Sequence, residues 1–240
     1  MLNDCSVNFT GRCPDIKDAQ WVCHCINANF PHISTTRLAP FIEKLEDKFP
    51  AAYDKFLSAN PITGKIIHAD SDMEKKVISI FSWMKKLIRK IDVERSNAAS
   101  FKDNYSKMIM LLSQFKYSRI ANCDENAKMS ELIMRLNGRK NICTAGIEVG
   151  ENYVDHVVCL FNRDGSKFDG TIKNNNTIII DSWINEADFA NNMLKKYKNI
   201  YKDFINTPQN GKLSFRDIKS HDLTEEELAE LASEFPQLLK

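Results

Sequence analysis

The sequence predicts an α+β fold, in which helices and strands are segregated along the chain. Three observations predict it: helical apolar spacing dominates up to about residue 120, β-type runs follow between residues 141 and 184, and helical spacing then returns. Strands alternating with helices, the pattern of a parallel sheet, do not occur. We therefore expect one antiparallel sheet with helices packed on it.

The first helical region is expected over residues 35–120. Apolar residues recur at helical spacing in "LAPFIEKLEDKFPAAYDKFLSAN", where Pro50 interrupts the pattern, and again in "DMEKKVISIFSWMKKLIRKI" and "SFKDNYSKMIMLLSQF". Ser100 and Asp103 are possible start signals for the last of these helices. Residues 1–34, with Cys, Asn, Gly and Pro scattered through them, are expected to be irregular.

One more helix is predicted over residues 123–137, in "ANCDENAKMSELIMRLNG", where Asn137-Gly138 ends it. The runs "NICTAGIEV", "NYVDHVVCLF" and "TIIIDSWI" are predicted strands. Helical spacing then returns in "EADFANNMLKKYKNIYKDFI", and "LTEEELAELASEF" is predicted as a final short helix, with Thr224 and Glu227 in capping-box spacing. The expected organisation is a single domain over residues 1–240. Its parts are a helical N-terminal portion at 35–120, a core at 121–184 and C-terminal helices at 185–240.

Cys123 stands where the central helix is expected to begin. Asn122 suits the N-cap position, and Glu125 lies three residues further on, where its side chain can cap back. The free N–H groups and positive dipole end of a helix favour the thiolate form of a cysteine in its first turn. The same amides can hold an oxyanion. We therefore predict Cys123 as a nucleophile, with Asn122 and Asp124 around the oxyanion.

A thiol nucleophile needs a base, and the base needs an acceptor for its other ring nitrogen. His156 is the candidate base, because it lies inside the otherwise apolar strand "YVDHVVCLF". Asp181 is the candidate acceptor, since it ends "TIIID" and precedes Trp183 by two residues. If these two strands pair as a hairpin, His156 and Asp181 can be neighbours across them.

On these residues the chain resembles the transglutaminase-like branch of the papain-like cysteine enzymes. The resemblance covers about residues 120–184 and rests on "NCDENAKMSELIMRLNG", "DHVVCLF" and "IIIDSW". It implies Cys123 as nucleophile, His156 as base and Asp181 as the orienting carboxylate. Trp183 is expected near them. The segment between His156 and Asp181 is longer than is usual in the family, so Asp164 and Asp169 remain weaker substitutes, although both have the character of turn residues.

The resemblance implies acyl transfer at a protein amide, with no metal or organic cofactor. The activities of the family include proteolysis, glutamine deamidation and transglutamination. Several bacterial virulence effectors have similar triads, so a host protein is among the expected substrates. The competing hypothesis is a binding module that keeps the fold without catalysis.

A rival nucleophile lies in "AQWVCHCINANF". Gln20 precedes Cys25, and the spacing from Cys25 to His156 is within the papain range. Cys25 ranks below Cys123 because Pro31 cuts short any helix that follows it.

The N-terminal cysteines also suggest a zinc-stabilised interaction domain. Cys5, Cys13, Cys23 and Cys25, with His24, supply enough ligands for one ion. Their spacing does not match a familiar zinc motif, so packed or exposed thiols are the favoured interpretation.

Composition and charge limit the other classes of function that the chain could have. The net charge of +1 gives no electrostatic support for binding nucleic acid or an anionic membrane. No apolar run is long enough to span a bilayer, and the start of the chain lacks the pattern of a signal peptide. We expect a cytoplasmic location or export by a signal-independent route. Seven cysteines, an odd number, predict reduced thiols.

Overall fold

The computed structural model describes residues 13–58, 71–149, 152–168, 176–200 and 213–240. Within these ranges the chain is α+β, as predicted, with eight α-helices and one five-stranded antiparallel sheet. The helices are α1 (Pro14–Asn29), α2 (Thr35–Lys48), α3 (Pro50–Ser58), α4 (Asp72–Ser100), α5 (Asn104–Ser113), α6 (Cys123–Leu136), α7 (Ala190–Ile200) and α8 (Glu225–Glu234). A π-helix, Gln114–Ser118, follows α5, and a 3₁₀ turn, Pro236–Leu238, follows α8.

The strands are β1 (Ile142–Val149), β2 (Asn152–Asn162), β3 (Thr177–Asp181), β4 (Glu186–Phe189) and β5 (Leu213–Lys219). Their order across the sheet is β4-β3-β2-β1-β5, and all neighbours pair antiparallel. The three predicted strands are β1, β2 and β3. Strand β2 lies at the centre, between β1 and β3.

Both faces of the sheet are covered by apolar side chains. On one face Cys159 and Phe161 of β2 and Ile178 and Ile180 of β3 pack with side chains of α1, α5 and α6. On the other face the alternate strand residues pack with Ala190, Met193 and Tyr197 of α7. The period-two alternation of each strand explains this division. The sheet is therefore the middle of three layers.

The chain divides into two compact units. Unit 1 contains the described residues up to His32 and from Phe101 onwards, and unit 2 contains Ile33–Ser100. The helical region expected at 35–120 thus spans both units, because α5 belongs with the sheet. Unit 2 consists of α2, α3 and α4 around its own apolar cluster, which includes Ala52, Val77 and Phe81.

The prediction that residues 1–34 are irregular was wrong, since Pro14–Asn29 form α1. Proline at the first helical position is compatible with a helix start. The helix is buried around much of its circumference, so its sequence lacks the one-sided apolar stripe that identifies an amphipathic helix. Residues as different as Gln20, Trp21 and Cys25 are all buried in it.

The helix prediction was wrong for "EADF", which forms β4, and the region of C-terminal helices expected at 185–240 also contains β5. These two strands form the edges of the sheet. Each is short, and the charged residues in both weaken the strand pattern in the sequence. Among the described residues, no helix is both long and apolar enough to cross a membrane.

Candidate functional site

Cys123 is the first residue of α6, as predicted. Glu125 accepts a hydrogen bond from the backbone N–H of Asn122 at 2.9 Å, which is the carboxylate half of a capping box. The Asn122 carbonyl oxygen accepts from the backbone N–H of Asn126 at 3.0 Å and from its side-chain amide at 2.8 Å. These bonds fix the first turn of the helix. The Cys123 side chain is partly exposed.

His156 lies in a bulge of β2. The register with β1 shifts between the pairs Gly146–Val157 and Ile147–Val154, and Asp155 and His156 are the residues of β2 inside this bulge. Bulges re-aim side chains relative to regular strand alternation. The His156 side chain accordingly meets Cys123 of α6, on one side of the sheet, and Tyr197 of α7, on the other.

Asp181 is the acceptor for His156. His156 Nε2 and Asp181 Oδ2 are 2.6 Å apart, and both residues are 2 % exposed. The other carboxylate oxygen, Oδ1, accepts from the backbone N–H of Ile184 at 3.3 Å. The predicted hairpin pairing of β2 with β3 brings the two residues together, since Cys159 pairs with Ile180.

The electrostatics of this cluster favour a protonated imidazole. Burial by itself lowers the pKa of His156, but the charge and hydrogen bond of Asp181, together with the hydrogen bond and charge of Cys123, outweigh it and raise that pKa to about 10. His156 can therefore carry a proton across the neutral pH range. A histidine that contacts both a thiol and a carboxylate has the arrangement of a cysteine nucleophile with its base.

Trp183 lies beside the histidine, as expected, with its ring centroid 5.2 Å from that of His156. It belongs to the turn between β3 and β4. The neighbouring Ser182 is buried, and its hydroxyl lies 2.6 Å from the hydroxyl of Ser130 on α6. Asn27 of α1 donates to the Ser182 carbonyl at 3.1 Å. The turn that carries Trp183 is thus held by two helices.

The other predicted site residues have different surroundings. The Asp124 carboxylate forms an ion pair with Lys128 at 2.6 Å on the surface of α6. Its backbone N–H, in the first turn of the helix, points towards the helix N-terminus. Asp164 is exposed in a turn, where its carboxylate accepts from the backbone N–H of Ser166. Asp164 therefore does not replace Asp181. Asp169 lies outside the described residues.

The rival cysteine, Cys25, lies in the core. Cys25 is fully buried in α1, and its thiol lies 3.6 Å from the carbonyl oxygen of Gln237. Cys23 is also buried, which raises the pKa of its thiol to about 12. The structure therefore puts both thiols in the core and leaves Cys123 as the cysteine that meets His156.

The zinc hypothesis receives no support from the described residues. Among them, no group of three or more His, Cys, Asp and Glu side chains is arranged to hold a metal ion. Cys23 and Cys25 instead form sulfur contacts with backbone carbonyl oxygens. Cys5, a further proposed ligand, lies outside the described ranges.

One contributor to the site was missed in the sequence. Tyr197 of α7 donates its hydroxyl to Asp181 Oδ2 at 2.7 Å. A tyrosine in a helix that follows β4 carries no sequence signal for this role.

Comparison of the chain with known protein families, curated proteins and solved structures finds no match.

Proposed function

We propose that this protein is a cysteine-dependent acyl-transfer enzyme acting on protein amides through Cys123, His156 and Asp181. One observation carries the proposal: the buried His156 bonds Asp181 at 2.6 Å and also meets the thiol at the start of α6. A buried histidine with only a structural role needs no more than an acceptor for its ring N–H. A histidine placed between a carboxylate and a helix-end thiol has the connections of a catalytic base.

The proposed reaction follows from these positions. The Cys123 thiolate attacks the amide carbon, and the tetrahedral oxyanion is held by the backbone N–H groups of Cys123 and Asp124, which have no acceptor within the helix. The His156 imidazolium gives its proton to the leaving nitrogen, and a thioester remains on Cys123. Asp181 keeps the imidazole oriented throughout.

The acceptor of the acyl group decides the net reaction. Water, deprotonated by His156, gives the carboxylic acid and the free thiol, which is proteolysis or deamidation according to the amide attacked. A lysine amine gives a new amide and hence a crosslink. The resemblance to transglutaminase-like enzymes supports this range of reactions and assigns the same roles to the three residues.

Alkylation by iodoacetamide tests the proposal without a known substrate. Each cysteine is followed by mass spectrometry at pH 6, where an ordinary thiol is almost entirely protonated. Cys13 is the internal reference, because it is the other partly exposed cysteine of the described residues. We expect Cys123 to react on the order of 30-fold faster than Cys13, since only a thiolate attacks the reagent.

Histidine variants complete this test. His156→Gln should bring Cys123 close to the rate of Cys13. His221→Gln is the matched control, because His221 also bonds a buried carboxylate, that of Glu131, at 2.7 Å. It should leave the Cys123 rate unchanged. If Cys123 and Cys13 react alike at pH 6 in the unaltered protein, the proposed function is wrong and a non-catalytic binding module is favoured.

A further inference from the structure

Tyr197 contacts the site from the layer opposite α6. It lies on α7, is 1 % exposed, and packs with Met193 and Leu160 in the apolar cluster on that face of the sheet. Its ring meets the His156 ring edge-on, with the centroids 5.9 Å apart. The phenol therefore has a fixed position beside the His156–Asp181 pair.

The tyrosine hydroxyl bonds the carboxylate oxygen that the histidine uses. Tyr197 Oη donates to Asp181 Oδ2 at 2.7 Å, and His156 Nε2 is 2.6 Å from the same atom. One carboxylate oxygen can accept two donors in the carboxylate plane. Because the buried phenol occupies one of these directions, the carboxylate cannot rotate without breaking a buried hydrogen bond.

A phenol suits this position electrostatically. It is a neutral donor, so it orients the carboxylate without adding positive charge that would compete with the imidazolium. Cys123 of α6 and Tyr197 of α7 both meet the pair. Asp181 also acts electrostatically on the buried Cys23 thiol of α1, and it pairs in the sheet with Glu186, whose carboxylate bonds Lys196.

We propose that Tyr197 is a positioning residue that holds Asp181 Oδ2 against His156 Nε2, and so maintains the imidazolium that keeps Cys123 reactive. This inference rests on the proposed function. The alternative is that Asp181 merely satisfies a buried phenol, in which case the hydroxyl contributes to stability and nothing else.

The experiment compares two tyrosine-to-phenylalanine variants of the full chain. Tyr197→Phe removes the hydroxyl and keeps the ring that meets His156. Tyr105→Phe is the matched control, because the Tyr105 hydroxyl also bonds a carboxylate, that of Glu230, which raises the pKa of Tyr105 to about 12. Iodoacetamide alkylation of Cys123 is measured from pH 5 to pH 9.5, and urea unfolding is recorded for both variants.

For Tyr197→Phe we expect alkylation at pH 6 to slow about 3–10-fold, because a less firmly held carboxylate supports the imidazolium less well. The midpoint of the pH profile should rise by about half to one pH unit, since a tenfold change corresponds to one unit. At pH 9.5 the rate should match the unaltered protein, because most thiols are then ionised. Tyr105→Phe should leave the whole profile unchanged.

Three results would overturn the inference. An unchanged profile with lowered stability means that the phenol is structural. Faster alkylation at pH 6 means that the hydroxyl only weakens Asp181 as an acceptor. Equal slowing at every pH means a general loss of structure. If Cys123 of the unaltered protein still reacts faster than Cys13 at pH 6, each of these results rejects only the role of Tyr197. If Cys123 and Cys13 of the unaltered protein react at the same rate, the proposed function is rejected as well.

Discussion

At the scale of single residues, the decisive interaction is the pair formed by His156 and Asp181. Two ionisable side chains that are both 2 % exposed are costly to bury unless each satisfies the other. Asp181 is satisfied further by the hydroxyl of Tyr197 and the backbone of Ile184. The charge and hydrogen bond of Asp181 outweigh burial and raise the pKa of His156.

This pair should make stability depend on pH in a defined direction. Since the pKa of His156 is about 10 in the folded chain and about 6.5 in an unfolded one, its protonation stabilises the fold fully below pH 6.5. The contribution is lost as the pH rises through 10. In Asp181→Asn the imidazolium loses its counter-charge, so we expect the difference in unfolding free energy from the unaltered protein to be largest near pH 6.

Urea unfolding of both proteins at pH 6, 8 and 10 measures this difference. It should shrink steadily towards pH 10. A difference that stays constant over that range would mean that Asp181 contributes only neutral hydrogen bonds, and would contradict a charged His156 at neutral pH.

At the scale of elements, the first turn of α6 determines where the thiol lies. The Glu125 side chain is 3 % exposed and bonds the N–H of Asn122, so it closes the end of the helix from inside the core. We expect Glu125→Ala to lower the free energy of unfolding by about 1 kcal/mol, as the loss of a helix cap does. It should also slow alkylation of Cys123 at pH 6 several-fold, because the turn that positions the thiol frays.

The chain contains a matched control for this prediction. Helix α8 begins with the capping box of Thr224 and Glu227, in which the Glu227 carboxylate bonds the Thr224 N–H at 2.7 Å. Glu227→Ala should cost similar stability and leave the Cys123 rate unchanged. Equal alkylation rates in the two variants would show that the α6 cap does not control the thiol.

The elements also show what the sequence could and could not predict. Helix α6 and strands β1 to β3 have strong periodicity and clear boundaries, so the order of Cys123, His156 and Asp181 on them was predictable. Helix α1 was not, because burial of Gln20, Cys23 and Cys25 on several sides leaves no apolar stripe. Strand β5 was missed because "LSFRDIK" alternates only weakly.

Within the candidate site, too, some contacts could be predicted from the sequence and others could not. Two strands in a hairpin are close by topology, so the contact of His156 with Asp181 could be predicted from local pattern. The contact of Asp181 with Tyr197 depends on how α7 packs on the sheet, and the bulge at His156 depends on the register with β1. Both follow from tertiary packing, which a sequence pattern does not specify.

At the scale of the whole molecule, the site is assembled from the three layers of unit 1. α6 supplies the thiol, the sheet supplies the histidine and the aspartate, and α7 supplies the tyrosine. Because each layer supplies at least one of these side chains, the geometry at Cys123 should depend on how α6 packs on the sheet within unit 1.

Unit 2 has a separate apolar core, so its packing should not control the thiol. Phe81 of α4 is 2 % exposed and lies with its ring centroid 5.2 Å from Tyr53 and 5.6 Å from Phe56. Phe81→Ala should destabilise unit 2 by about 3–5 kcal/mol through the cavity that it leaves. Hydrogen exchange of peptides from residues 33–100 should then accelerate, while the alkylation rate of Cys123 at pH 6 stays the same.

Leu132→Ala provides the opposite case, because Leu132 lies on α6 and is 1 % exposed in the core of unit 1. It should accelerate exchange in peptides of unit 1 and slow the alkylation of Cys123, since both depend on the packing of α6 against the sheet. If Phe81→Ala slows alkylation as much as Leu132→Ala does, the two cores are energetically coupled and the reactivity of Cys123 is a property of the whole chain.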